Sequence, residues 1–154
     1  MSLEKFKNFR IYRDKALLAI DFGLKNIGLA TFVPGRDPWP LGHGSLDVRK
    51  DTAKALRPLM DVIASEEIHA IIMGLPLLAD GSEGKMAVQI RHFAKELQAK
   101  SSLPILFQDE YLSSYSAQEK MKLAASRGFP MEDQNIHTES AKIILEDFIR
   151  AEGL

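Results

Sequence analysis

The stretch from Leu17 to Phe32, LLAIDFGLKNIGLATF, constrains the fold more than any other part of the chain. Leu17, Leu18, Ala19 and Ile20 run into a carboxylate, Asp21, and a second apolar run from Ile27 to Val33 follows a turn of Gly, Leu, Lys and Asn. Short apolar runs separated by such a turn read as two β-strands with a tight connection. Asp21 then stands at a strand end, where it either turns the chain or begins a site. Asp before Gly is common turn chemistry, whereas a carboxylate beside a buried strand is solvated by few neighbours unless a cation or a donor meets it.

The rest of the chain alternates in kind. Residues 4 to 15 form a basic arm with Lys5, Lys7, Arg10, Arg13 and Lys15 against Glu4 and Asp14; Met1–Leu3, which an expression vector can contribute, are set aside. Prolines and glycines between Val33 and Gly44 mark a loop, and a third strand is expected around Gly44 to Val48. Asp51 or Thr52 can cap a helix with Leu56, Leu59, Met60 and Ile63 at helical spacing, provided Pro58 falls in its first turns or kinks it. Ala70 to Met73 reads as a short strand covered on both faces, because its apolar residues do not alternate. A helix from about Lys85 to Lys100 follows, with Val88, Phe93 and Leu97 on or near its inner face, then a strand from Pro104 to Gln108 ending in Asp109 and Glu110. A further helix is expected to begin in SSYSAQEK, where Ser116 and Glu119 have capping-box spacing. A last helix, roughly Thr138 to Ala151, carries the stripe Ala141, Ile144, Leu145 and Phe148. The reading is a single α/β domain over residues 16–152 with a mixed sheet.

Composition bounds the partners. With 45% hydrophobic and 27% charged residues the chain reads as a globular protein, and no apolar run approaches the ~18 residues of a membrane span. The N-terminus lacks the apolar centre of a signal peptide, so the expected location is the cytoplasm. The absence of cysteine excludes disulfides and thiolate metal sites. A formal charge of −1 gives no bulk attraction for a polyanion, so any nucleic-acid role rests on a local patch.

Asp21 and the Asp109/Glu110 pair both stand at C-terminal strand ends, where open α/β sheets bind ligands. On adjacent strands they would form an oxygen-lined site for Mg²⁺ or Mn²⁺, suited to phosphodiester hydrolysis. A second chemistry is open in DFGLKNIG, where Gly23 and Gly28 could admit a phosphate to the backbone amides beside Lys25.

Four blocks, LLAIDFGLKNIGLA, IIMGLPLLADGSEG, ILFQDEYLSSYSA and SAKIILEDF, resemble in order and spacing the YqgF family, also called the Holliday junction resolvase-like or pre-16S rRNA nuclease family. The resemblance spans Leu17 to about Ile149. It implies a ribonuclease H-like fold, a five-stranded mixed sheet (three antiparallel then two parallel strands) with helices on both faces, and a metal-dependent nuclease site built from acidic side chains. It further implies Asp21 and Glu110 as catalytic metal ligands, with Asp109 as a secondary metal candidate. The implied substrate is structured nucleic acid, either the 5′ end of pre-16S rRNA or branched DNA of the Holliday-junction type. A junction resolvase would be expected to act as a symmetric dimer, and monomer and homodimer both stay open.

The chain departs from the family where an Asp usually opens the last helix. Here NIHTESAKIIL supplies His137, and Glu139, about 200° away around the helix, cannot replace it without a shift in helix start. His137 is therefore a third catalytic candidate, as an Mn²⁺ ligand or as an acid or base. Tyr111 stands for the family's arginine, Leu24 for a hydroxyl residue and Ser116 for an acid. Lys25, Ser82, Lys85, Arg91 and Arg127 are the candidates for nucleic-acid contact. Ser82 and Asp80-Gly81 equally suit a helix cap and turn. Two other readings accompany the nuclease: a relative that binds nucleic acid with weakened catalysis, and a single actin-like ATP-binding unit.

Overall fold

The computed structural model describes residues 12–110 and 133–152, the side chains of 133–135 excepted. Five strands, β1 (Ala16–Asp21), β2 (Asn26–Phe32), β3 (Leu41–Asp47), β4 (Ile68–Leu75) and β5 (Ile105–Asp109), form one sheet in the order β3-β2-β1-β4-β5. The first three pair antiparallel, and β4 and β5 run parallel to β1, which is the mixed sheet expected from the sequence.

The apolar run of β1 has no alternation because both of its faces are covered. Leu18 and Ile20 point into a core beneath α1 (Leu56–Ser65) and α2 (Lys85–Ser101), while Leu17 and Ala19 point into a second core beneath α3 (Asp133–Ala151). Continuing the alternation puts Asp21 on the α3 face.

Several boundaries differ from expectation for local reasons. The third strand starts at Leu41, earlier than Gly44. Asp51 makes no side-chain cap, and a 3₁₀ turn, Thr52–Ala55, leads into α1 instead. Pro58 is tolerated because it is the third residue of α1, where the backbone has no N–H bond to lose. Val88 is 63% exposed rather than inward, since Ala87 and Ile90 occupy the buried face of α2 on either side of it. α3 begins at Asp133, about a turn earlier than expected, so His137 lies inside the helix rather than ahead of it. The helix expected in SSYSAQEK lies outside the described residues, as does the basic arm up to residue 11.

Candidate active site

Asp21 and Glu110 meet on the α3 face at the C-terminal ends of the parallel strands. They do not come from adjacent strands, since β4 runs between β1 and β5. The meeting is possible because β4 has a glycine at the crossing point: a Cβ on Gly74 would lie 2.9 Å from Glu110 Cδ and 3.0 Å from its Oε2. Gly74 is part of β4, and the space its missing side chain leaves is filled by the Glu110 carboxyl.

The glycines of DFGLKNIG have an equally specific use. A Cβ on Gly28 would fall 2.0 Å from the backbone oxygen of His137, and one on Gly23 would fall 3.0 Å from His137 Cε1. The β1–β2 hairpin therefore forms a seat for the first turns of α3, where the sequence alone left room for a phosphate. Seated there, His137 places Nδ1 2.8 Å from Asp21 Oδ2. One turn further along α3, Ser140 is fully buried with no hydrogen bond to its Oγ among the described residues.

Asp21 is only 3% exposed. Burial pushes its carboxyl up from the usual 3.8 to about 6, offset in part by a hydrogen bond with the Glu110 side chain. Two carboxyl groups can share a hydrogen bond only when one of them carries a proton. A pair arranged this way is suited to exchange that proton for a divalent cation, which relieves the repulsion between the ionised groups. Among the described residues no three His, Asp or Glu side chains converge as one metal-binding group, and His137 is hydrogen-bonded to Asp21. Two carboxylates suffice for Mg²⁺, which ordinarily fills its remaining positions with water and substrate phosphates.

The other candidates lie apart from this pair. Asp109, one residue before Glu110 and so on the opposite face, borders a cleft with Phe107 and Arg91 on the α2 side. It is not brought to Asp21. Arg91 pairs with Glu83 and lies over the Phe107 ring, 4.7 Å from its centroid. Ser82 closes the turn after β4, donating its backbone N–H and Oγ to Asp80 Oδ1 at 2.9 and 2.6 Å, so it does not cap α2, whose N-cap is Gly84. Lys25 in the β1–β2 turn and Lys85 at the start of α2 are exposed at the same end of the sheet as the carboxyl pair. Arg127 and Tyr111 lie outside the described residues.

A sequence model described as "RuvX: Holliday junction resolvase" matches residues 15–151. The chain belongs to the RuvX family. Its relatives include proteins named "Putative pre-16S rRNA nuclease". That of Maridesulfovibrio salexigens is 34% identical, with 86% of this chain and 96% of the relative covered. That of Nitratidesulfovibrio vulgaris is 30% identical, with 86% and 91% covered. Among solved structures, RuvC of T. thermophilus in complex with a Holliday junction substrate aligns with a TM-score of 0.57 at 12% identity, covering 89% of this chain and 96% of RuvC. The yeast mitochondrial Holliday junction resolvase aligns with a TM-score of 0.56 at 15% identity, covering 98% and 84%. At those identities the likeness shows the fold, which is the ribonuclease H-like sheet expected from the sequence. His137, the residue at which the sequence reading expected the chain to depart from the family, turns to Asp21 across the two hairpin glycines.

Proposed function

We propose that this RuvX-family protein is a divalent-metal-dependent nuclease that cleaves phosphodiester bonds in structured nucleic acid, with the 5′ leader of pre-16S rRNA as its substrate. The observation that carries the reading is the carboxyl pair of buried Asp21 and half-buried Glu110 at the C-terminal edge of the sheet. The names of the full-length relatives support RNA as the substrate over branched DNA. In bacteria, the source of the relatives named above, ribosomal RNA matures in the cytoplasm, which is the location this reading gives; no described helix is long and apolar enough to cross a membrane.

Asp21 and Glu110 hold the ion, Mg²⁺ or Mn²⁺. When bound, it polarises the phosphoryl oxygen and lowers the pKa of an attacking water. The hydrophobic floor supplied by Ile144 and the β4 backbone at Gly74 excludes bulk water from beneath the pair. In the tautomer that donates Nδ1–H to Asp21, His137 keeps Nε2, beside Gly23, as a proton acceptor. Asp21 thus has two tasks, as ligand and as the group that orients the imidazole. The test is incubation of purified protein and Mn²⁺ with a 5′-extended 16S rRNA precursor and, in parallel, a four-way DNA junction. Cleavage in the rRNA leader at a defined position supports the reading. Resolution of the junction with an intact leader would assign the DNA activity instead, and nucleic-acid binding without turnover of either would identify a catalytically weakened relative.

A further inference from the structure

At the end of the sheet that holds the carboxyl pair, the β1–β2 turn and the segment after β3 are fastened together by backbone hydrogen bonds. Val48 and Arg49 donate their N–H groups to the Lys25 oxygen at 2.8 and 3.2 Å, and Lys50 donates to the Leu24 oxygen at 2.6 Å. Val48 anchors the junction from within the core, and the side chains of Lys25, Arg49 and Lys50 emerge from it exposed. Three cations from two loops are thereby gathered into one ridge at the end of the sheet that holds Asp21.

The backbone of this ridge is unusual. Arg49 and Lys50 both adopt the left-handed region, at φ 43° and 71°, one after the other. Glycine or asparagine fills such positions at least cost, and a long basic side chain gains nothing there in stability. Left-handed non-glycine residues concentrate at functional sites, and here the strained geometry turns two successive side chains outward beside Lys25. Arg49 is partly neutralised, its Nε lying 3.1 Å from Asp47 Oδ2. With exposed Asp51 and Lys54 included, the surface carries four cations against two carboxylates in a chain whose formal charge is −1.

We infer that the Lys25–Arg49–Lys50 ridge binds the phosphate backbone of the nucleic acid on the β3 side of the scissile bond. Lys25 was a candidate from the sequence; Arg49 and Lys50 were not, because only the fold brings them beside it. The physical need is clear. A polyanion approaching the Asp21 and Glu110 carboxylates is repelled by them, and flanking cations must compensate before the metal-bound geometry forms. Lys25 lies in the turn after β1, while Arg49 and Lys50 follow β3, two strands from β1 and about 10 Å across the sheet, so the ridge meets phosphates flanking the reacting one. The inference rests on the nuclease reading for the identity of its ligand.

The test separates the two. Arg49→Gly and Lys50→Gly remove charge while relieving the left-handed backbone, so loss of folding cannot account for their effect; thermal melts verify this. Binding of a fluorescent RNA hairpin and a DNA four-way junction is measured by anisotropy across a KCl series in EDTA, for wild type, the double glycine variant and that variant combined with Lys25→Ala. The expected result is weaker binding by about tenfold or more in the triple variant and a salt slope reduced by about 1 for each phosphate contact removed. Unchanged affinity and slope would overturn the inference even if the wild type cleaves with Mn²⁺. Ridge-dependent binding without cleavage would sustain the ridge and overturn the nuclease reading. A ridge-dependent response to poly-glutamate but to neither nucleic acid would mark the ridge as an acidic-protein surface and overturn the inference.

Discussion

Gly74 and Glu110 occupy one space: the position a Cβ at residue 74 would take is 2.9 Å from Glu110 Cδ. Bringing a carboxylate from β5 to one on β1 across an intervening strand depends on that missing side chain. Gly74→Ala should therefore displace Glu110 and lower kcat/KM for Mn²⁺-dependent cleavage by at least about tenfold, or ~1.4 kcal/mol in the barrier. The cost in folding stability should stay within about 1–3 kcal/mol, because the other clash, 2.6 Å from Ile144 Cδ1, is with the movable end of a side chain. Kinetics and urea denaturation on the same variant separate the two effects, and wild-type kinetics would show that Glu110 does not need its present position.

Gly28 tests the seat of α3. A methyl group there would meet the His137 carbonyl at 2.0 Å, and backbone, unlike the tip of a side chain, cannot step aside. Gly28→Ala should cost at least about 2 kcal/mol and break the His137–Asp21 hydrogen bond as the helix shifts. Equilibrium denaturation, with the His137 imidazole followed by NMR, reads both. An unchanged midpoint would mean that α3 is not seated on the hairpin.

The carboxyl of Asp21 makes a prediction about pH. Because burial raises it from 3.8 to about 6, the folded protein holds a proton between those values that the unfolded chain has released. In that window the native state binds more protons than the unfolded one, so stability of the metal-free protein falls as pH rises from about 4 to about 6 and stays lower above it. Asp21→Asn should abolish this slope and stabilise the metal-free protein at pH 8 by on the order of 2 kcal/mol. Denaturant midpoints in EDTA at a series of pH values check it. An asparagine variant that is less stable than wild type at pH 8 would exclude the buried, cation-seeking carboxylate described above.

These outcomes also bear on what the sequence disclosed. β1 was legible from Leu17–Ile20 because a strand covered on both faces must be apolar throughout, and Asp21 was conspicuous as the polar residue that ends it. Glu110 was legible by its place at a strand end and by the family blocks, which ranked Asp109 beside it second; the alternation of β5 then put the two on opposite faces. The glycines were visible but their purpose was not: whether Gly23, Gly28 and Gly74 admit a phosphate, a helix or a carboxyl depends on what packs over them. That information lies in α3 and β5, far away in the chain. The same limit hid Arg49 and Lys50, which acquire meaning only through their backbone bonds to Leu24 and Lys25. Val88 was misread because helical spacing alone does not fix which flank of a stripe meets the sheet.

The most direct measurement is the initial rate of cleavage of a 5′-extended 16S rRNA precursor as a function of Mn²⁺ concentration, for the wild type and for Asp21→Asn. Loss of a metal ligand that also orients His137 should reduce the rate at saturating RNA by about a hundredfold or more and remove saturable dependence on Mn²⁺, while affinity for the RNA in EDTA is retained. An Asp21→Asn protein that cleaves at the wild-type rate with the same Mn²⁺ dependence would contradict the assignment of the Asp21–Glu110 pair as the catalytic metal site.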